Sequence, residues 1–371
     1  MRNTAFGLGL FGGLATASGA WADVPQVATD IAPVQSLVAM VMGDLGDPAL
    51  IVPQGASPHS HAMRPSEARA LQEADLVLWV GPELTPWMAG PLSSLADGAV
   101  QVPLLQADGL TRLTFREGAT FEAHDHGDHD DHGDHAHADD HDHDHEHEHG
   151  HEEDEAHDDH DHDHGHDEDH AHSDEHAHDD EHAHDDEHAH DDEHAHDDHD
   201  HTGLDPHAWL DPQNAAIWID VIAAELARLD PDNAATYAVN ATDARATLAA
   251  LDAEVATRMA AMPDNAFVVF HDGYHYFEAR YDVEAAGAIT IGDATAPSPA
   301  RVAEIRDLVA DLGVTCVFAE PQFNTGLVES VFDGTTAKIG LIDPIGIDLT
   351  PGADLYPALI RNMAQSVEDC L

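Results

Sequence analysis

The sequence predicts an α/β fold in two parts, each a mostly parallel sheet flanked by helices, with one long helix between them and a disordered His/Asp-rich loop inserted in the first. Two blocks of chain, 24–120 and 267 onward, alternate short apolar runs with amphipathic helical stretches, the pattern of parallel strands covered on both faces. Between them, 233–262 reads as one helix rich in Ala, Leu, Glu and Arg, which at about 45 Å would run the length of two domains. The third observation is compositional. Residues 122–201 use six residue types only: 37 Asp/Glu, 29 His and 14 Ala, Gly or Ser. Such a segment cannot offset its ordering entropy by burial.

In chain order, Arg2 precedes an apolar stretch over 5–15, and Ala20-Trp21-Ala22 supplies a small-x-small cleavage site before Asp23. Residues 1–22 therefore read as a secretory signal peptide, and no later segment has 18 uninterrupted apolar residues for a membrane span. The mature chain is expected to be soluble and exported. The first part of the N-terminal domain (23–121) reads as strand 26–29, helix 31–42, strand 49–52, helix 65–73 with its Arg and Glu facing solvent, strand 76–80, then a loop and helix from Pro82. The acidic loop follows (122–201), with a six-residue repeat near DDEHAH over 173–196 that matches no helix or strand period. Residues 202–231 return to the N-terminal domain, where Asp211 and Pro212 cap a helix running through 217–229. The linker helix occupies 232–262 and the C-terminal domain 263–371, with strands 267–270, 289–291, 315–319 and 338–342. Helices are expected there at 274–281, 298–312, 327–335 and 356–367.

The formal charge of −61 overstates the acidity of the folded part, because the loop holds half of the 74 acidic side chains. The remainder still sets 37 Asp/Glu against 13 Lys/Arg, so nucleic acid is a poor partner and small cations are good ones. Two cysteines, Cys316 and Cys370, form an isolated pair, which in an exported chain points to a disulfide rather than a metal site. Closing a loop of about 54 residues would stabilise the fold by roughly 4 kcal/mol in the chain-entropy model.

Of 34 histidines, only His59, His61, His207, His271 and His275 lie outside the loop. His59 follows a strand, His207 sits in a Pro-fixed turn before a helix, and His271 ends the apolar strand FVVF. Such strand and loop ends are where α/β sheets place binding sites, and imidazole suits zinc, copper and nickel. His271 and His275 stand four apart, a chelating spacing on a helix. No Glu follows His271 as a zinc protease requires, so His275 reads as a wall of the site or a support behind its ligands. His61 either covers the site or points elsewhere.

Several motifs taken together carry a resemblance: GASPH at 55–59 with MRPS at 63–66, ADLVLWVG at 74–81, DPHAW at 205–209, FHDGY at 270–274 and FAEPQ at 318–322. With the His-rich insertion before Asp205, the chain resembles the ZnuA-type zinc-binding proteins of ABC importers. The resemblance implies two α/β lobes joined by one long rigid helix, with metal in the cleft between them. It implies a metal site of His59, His207 and His271, with Asp343 of LIDP (341–344) or water as fourth ligand. It also implies pairing of Cys316 with Cys370. Three neutral imidazoles favour zinc over manganese, which prefers oxygen donors.

The expected function is capture of Zn2+ in the periplasm by a monomer that hands it to an inner-membrane ABC permease. The acidic loop would recruit or sense further zinc, and protonation near the ordinary His pKa of about 6.5 would empty it first. No enzyme activity is expected. Two rivals remain: an exported zinc buffer without a transporter, and a zinc hydrolase, for which Glu320 is the one candidate general base.

Overall fold

A computed structural model describes residues 24–116, 121, 203–263, 266–290, 297–323 and 325–371. The expected signal peptide (1–22), the acidic loop (122–201) and its repeats lie outside the described residues. The first sheet contains β1 (Val27–Thr29), β2 (Ala49–Leu50), β3 (Leu76–Trp79) and β4 (Val100–Pro103), all parallel, in the order β2-β1-β3-β4. Its crossovers run through α1 (Ala32–Met42), α2 (Pro65–Glu73) and α3 (Ala89–Leu95). After α4 (Pro212–Leu229) and α5 (Ala234–Met259), a second sheet repeats the plan. It holds β5 (Phe267–His271), β6 (Gly287–Thr290), β7 (Cys316–Ala319) and β8 (Lys338–Leu341), in the order β6-β5-β7-β8 and again parallel. Here the connections are α6 (His275–Tyr281), α7 (Pro299–Leu312) and α8 (Thr325–Phe332), and α9 (Leu355–Cys370) closes the chain. Strand order reverses at β1/β3 and at β5/β7. Adjacent connections therefore leave in opposite directions there and open a crevice at the strands' carboxyl ends.

Local chemistry accounts for most boundaries. The apolar runs of β3 and β7 are buried throughout, as strands covered on both faces must be. Asp211 accepts from the Gln213 N–H at 2.8 Å and Pro212 opens the first turn of α4. Along α5, Tyr237, Ala241, Ala244, Leu248, Leu251, Val255 and Met259 form a stripe spaced three and four apart, all buried. Its 26 residues span about 39 Å, shorter than the expected 233–262. The last turn breaks at Ala260–Met262, ahead of Pro263, whose ring disfavours helical geometry in the residue before it.

Two expectations need correction. β4 was not foreseen, because as an edge strand it is only partly buried and shows little apolar alternation. Glu67 does not face solvent: it is buried, accepting the Arg64 N–H at 2.6 Å at the start of α2 and pairing with His61 at 2.8 Å.

One hydrophobic core runs through both lobes, from Val27 and Leu76 through Trp209, Trp218 and α5 to Phe267, Tyr276 and the inner face of α9. Polar ties cross the same boundary. Trp209 Nε1 donates to Pro344 O at 2.8 Å, the Tyr356 hydroxyl to Trp209 O at 2.7 Å, and Gln54 Nε2 to Gly346 O at 2.7 Å. Cys316 and Cys370 form the expected disulfide, tying β7 to α9. Among the described residues no helix is long and apolar enough to cross a membrane.

At the carboxyl end of β1, Asp30 is completely buried, and its two oxygens accept the N–H groups of Ile31 and Val80, each at 2.8 Å. Burial outweighs these bonds and pushes the carboxyl up to about 7. An acid whose pKa is raised by folding binds its proton better in the native state. Its contribution is therefore complete below the ordinary carboxyl range and lost as pH rises towards 7. The Tm of Asp30→Asn relative to the parent should climb between pH 4.5 and 7 and level off above; a constant difference across that range would contradict the assignment.

Candidate metal centre

His207 begins as an anchored turn. Asp205 Oδ1 accepts the His207 main-chain N–H at 2.9 Å and lies 2.7 Å from its ring Nδ1, both groups fully out of solvent. A buried carboxylate there fixes the tautomer, with the proton on Nδ1 and the lone pair on Nε2. His271, the last residue of β5, is treated in the same way: its Nδ1 pairs with Glu320 Oε1, one residue past the end of β7. Gln322 Nε2 donates to the other Glu320 oxygen at 2.6 Å. His59 comes from the loop after β2, which Trp87 Nε1 holds by a bond to Pro58 O at 2.7 Å.

These three rings converge. One ligand nitrogen from each lies within 4.8 Å of the other two, and His207 Nε2 and His271 Nε2 stand 3.3 Å apart. Two nitrogens held 2.0–2.1 Å from a tetrahedral ion are about 3.3 Å apart, so this pair already has the spacing of a metal edge. With both Nδ1 protons committed to carboxylates, the facing Nε2 atoms present lone pairs to each other, an arrangement that calls for a cation between them. The space enclosed by the rings is about 10 Å³, room for about one water-sized body. Trp209 walls it, its ring centroid 5.2 Å from that of His207, and Tyr274 packs edge-on behind His271 at 5.8 Å. Burial first, then Glu320, raise the Tyr274 hydroxyl well above its ordinary pKa, so it stays neutral.

The other candidates are placed elsewhere. Asp343 is not in the cluster: Oδ1 accepts from Ile345 and Gly346 at 3.0 and 2.9 Å, and Oδ2 accepts from Ile347 at 2.6 Å. Its carboxylate anchors the turn that brings Pro344 to Trp209. His61 is committed to Glu67 and lies edge-on to Trp87, with ring centroids 5.5 Å apart. His275 opens α6 with Nδ1 4.0 Å from Asp205 Oδ2, beside the carboxylate that holds His207. Glu320 is a support for His271. Two contributors went unread in the sequence. Asp205 lies in DPHAW, where a carboxylate two residues before a His across a Pro turn is a readable signal. Gly273 carried none.

The family model "Zinc-uptake complex component A periplasmic" (ZnuA) matches residues 27–370. The high-affinity zinc uptake system protein ZnuA of Brucella abortus (strain 2308) is 43% identical over 345 residues, covering 93% of this chain and 91% of that one. Its namesake from Paracoccus denitrificans (strain Pd 1222) is 42% identical over 351 residues, covering 94% and 93%. A crystal structure of ZnuA superposes with a TM-score of 0.64 at 21% identity, covering 94% of this chain and 99% of that one, a likeness of fold. Fold and sequence together define a two-lobed, metal-binding solute-binding protein. The chain belongs to the ZnuA family.

Gly273 seats the His271 ring. A Cβ at this position would lie 2.3 Å from His271 Nε2 and 2.7 Å from Cε1, closer than any real contact. A methyl group there forces the ring aside while leaving the strand intact. Gly273→Ala should keep the parent's circular dichroism and bind one cobalt(II) ion at least tenfold more weakly by titration; parental affinity would show that the ring is seated by something else.

Proposed function

We propose that this protein captures Zn2+ in the periplasm with His59, His207 and His271 and delivers it to an ABC-type permease in the inner membrane. The observation that supports this most is the convergence of three imidazoles, two of them oriented by buried carboxylates. An all-nitrogen protein set favours zinc over manganese. The fourth position goes to water in this reading, because Asp343 lies outside the cluster of the three rings and is engaged in its own turn. That leaves one exchangeable ligand through which the ion is surrendered. The acidic insertion recruits further zinc, its 29 imidazoles and 37 carboxylates acting as weak ligands. The relatives' name, a high-affinity zinc uptake system protein, supports zinc as cargo.

Calorimetric zinc titration tests the reading on three chains: the parent, a deletion of 122–201, and His271→Ala. One tight event should survive the deletion and vanish in the point variant, while the weak events go with the loop. Loss of tight binding on deletion would make the protein a buffer, and tight binding in His271→Ala would end the proposal.

A further inference from the structure

The strap of chain that leads to the acidic insertion crosses onto the C-terminal lobe beside the metal cluster. Thr111 is tied to Asn214 of α4, its N–H donating at 2.9 Å, but Leu113 N–H already donates to the Tyr276 hydroxyl of α6 at 3.0 Å. Tyr276 in turn donates to Asp205 O at 3.0 Å. Thr114 and Leu204 form an antiparallel bridge, so the strap lies against the segment that carries Asp205 and His207. Phe121 N–H bonds Ala286 O at 3.0 Å, ahead of β6.

At the centre of this crossing, Arg116 enters a buried pocket of carboxylates. Its guanidinium bridges Asp272, with Nε at 3.0 Å from Oδ1, and Glu278, with Nη1 at 2.6 Å from Oε2. The Arg116 side chain is 12% exposed and both acids 2%. Phe121 lies over the guanidinium face, its ring centre 3.7 Å from Cζ. Glu278 also accepts the Ala285 N–H at 3.1 Å. Asp272 directly follows His271 and precedes Gly273, so one cation clamps the turn that seats a metal ligand.

We infer that Arg116 is a positioning residue for His271: it joins the strap of the N-terminal lobe to the β5–α6 turn and thereby sets the geometry of the three-imidazole site. Neutralising the guanidinium leaves two carboxylates in the interface without their clamp, and buried carboxylates move toward water when unpaired. Asp272 cannot move without the backbone of His271 and Gly273. Lysine restores charge but not the planar fork that spans both acids. This inference rests on the reading that His59, His207 and His271 hold the metal.

Cobalt(II) replaces zinc as a probe because its visible spectrum reports ligand geometry, and the relevant spectral component is the one lost in His271→Ala. Arg116→Gln in the full chain should keep the parent's circular dichroism, alter that component and weaken zinc at least tenfold; Arg116→Lys should recover part of both. If Arg116→Gln does not fold, the combined variant Arg116→Gln, Asp272→Asn, Glu278→Gln removes all three charges and should fold with the same altered spectrum. A folded variant with the parental spectrum and affinity overturns the inference, and so does failure of both variants to fold, which would make the cluster structural only. If the parent lacks a component that depends on His271, it is the metal-site reading that fails instead.

Discussion

Two buried carboxylates, Asp205 and Glu320, hold the Nδ1 atoms of His207 and His271 and so decide where two lone pairs point. Everything else at the centre follows from that constraint. With tautomers fixed, the Nε2 atoms face each other at 3.3 Å, and His59 completes a triangle from the other sheet. The two carboxylates thus fix the orientation of both rings. The switch points of the two sheets make this possible. His271 and Glu320 leave the ends of neighbouring strands β5 and β7, whose connections diverge and open the crevice between them.

The lobes that supply these ligands share one core. Trp209 and Tyr356 hydrogen-bond across the boundary, α9 packs back onto α1 and α5, and α5 buries one continuous stripe along its length. Opening such an interface as a wide hinge would expose that apolar surface to water at about 25 cal/mol per Å². Small local shifts of the loops bearing His59 and His207 cost far less. The architecture therefore favours small local rearrangement over swinging of whole lobes.

How much of this could be read from the string depended on the range of the interaction. The three imidazoles were legible because few histidines lie outside the acidic run and each stands at a strand or turn end. The disulfide was legible because the chain offers only two cysteines. Asp343 was placed near the metal from its position in a motif, whereas turn chemistry governs it: Asp followed by Pro344 and Gly346 is a residue that satisfies its own backbone. The tie between Glu67 and His61 was hidden because helical spacing alone put that acid outside. The grip of Arg116 on Asp272 spans 156 positions of sequence, beyond the reach of any local pattern.

Charge balance explains why the support must be acidic. Three imidazoles alone would leave a dication with its full charge beside Trp209 and Phe323, and stranding that charge in apolar surroundings is prohibitive. Asp205 and Glu320, each paired with the far nitrogen of one ring, stand where acidic side chains offset such a charge. Attraction for a cation there would come from the supporting acidic side chains as well as from the rings.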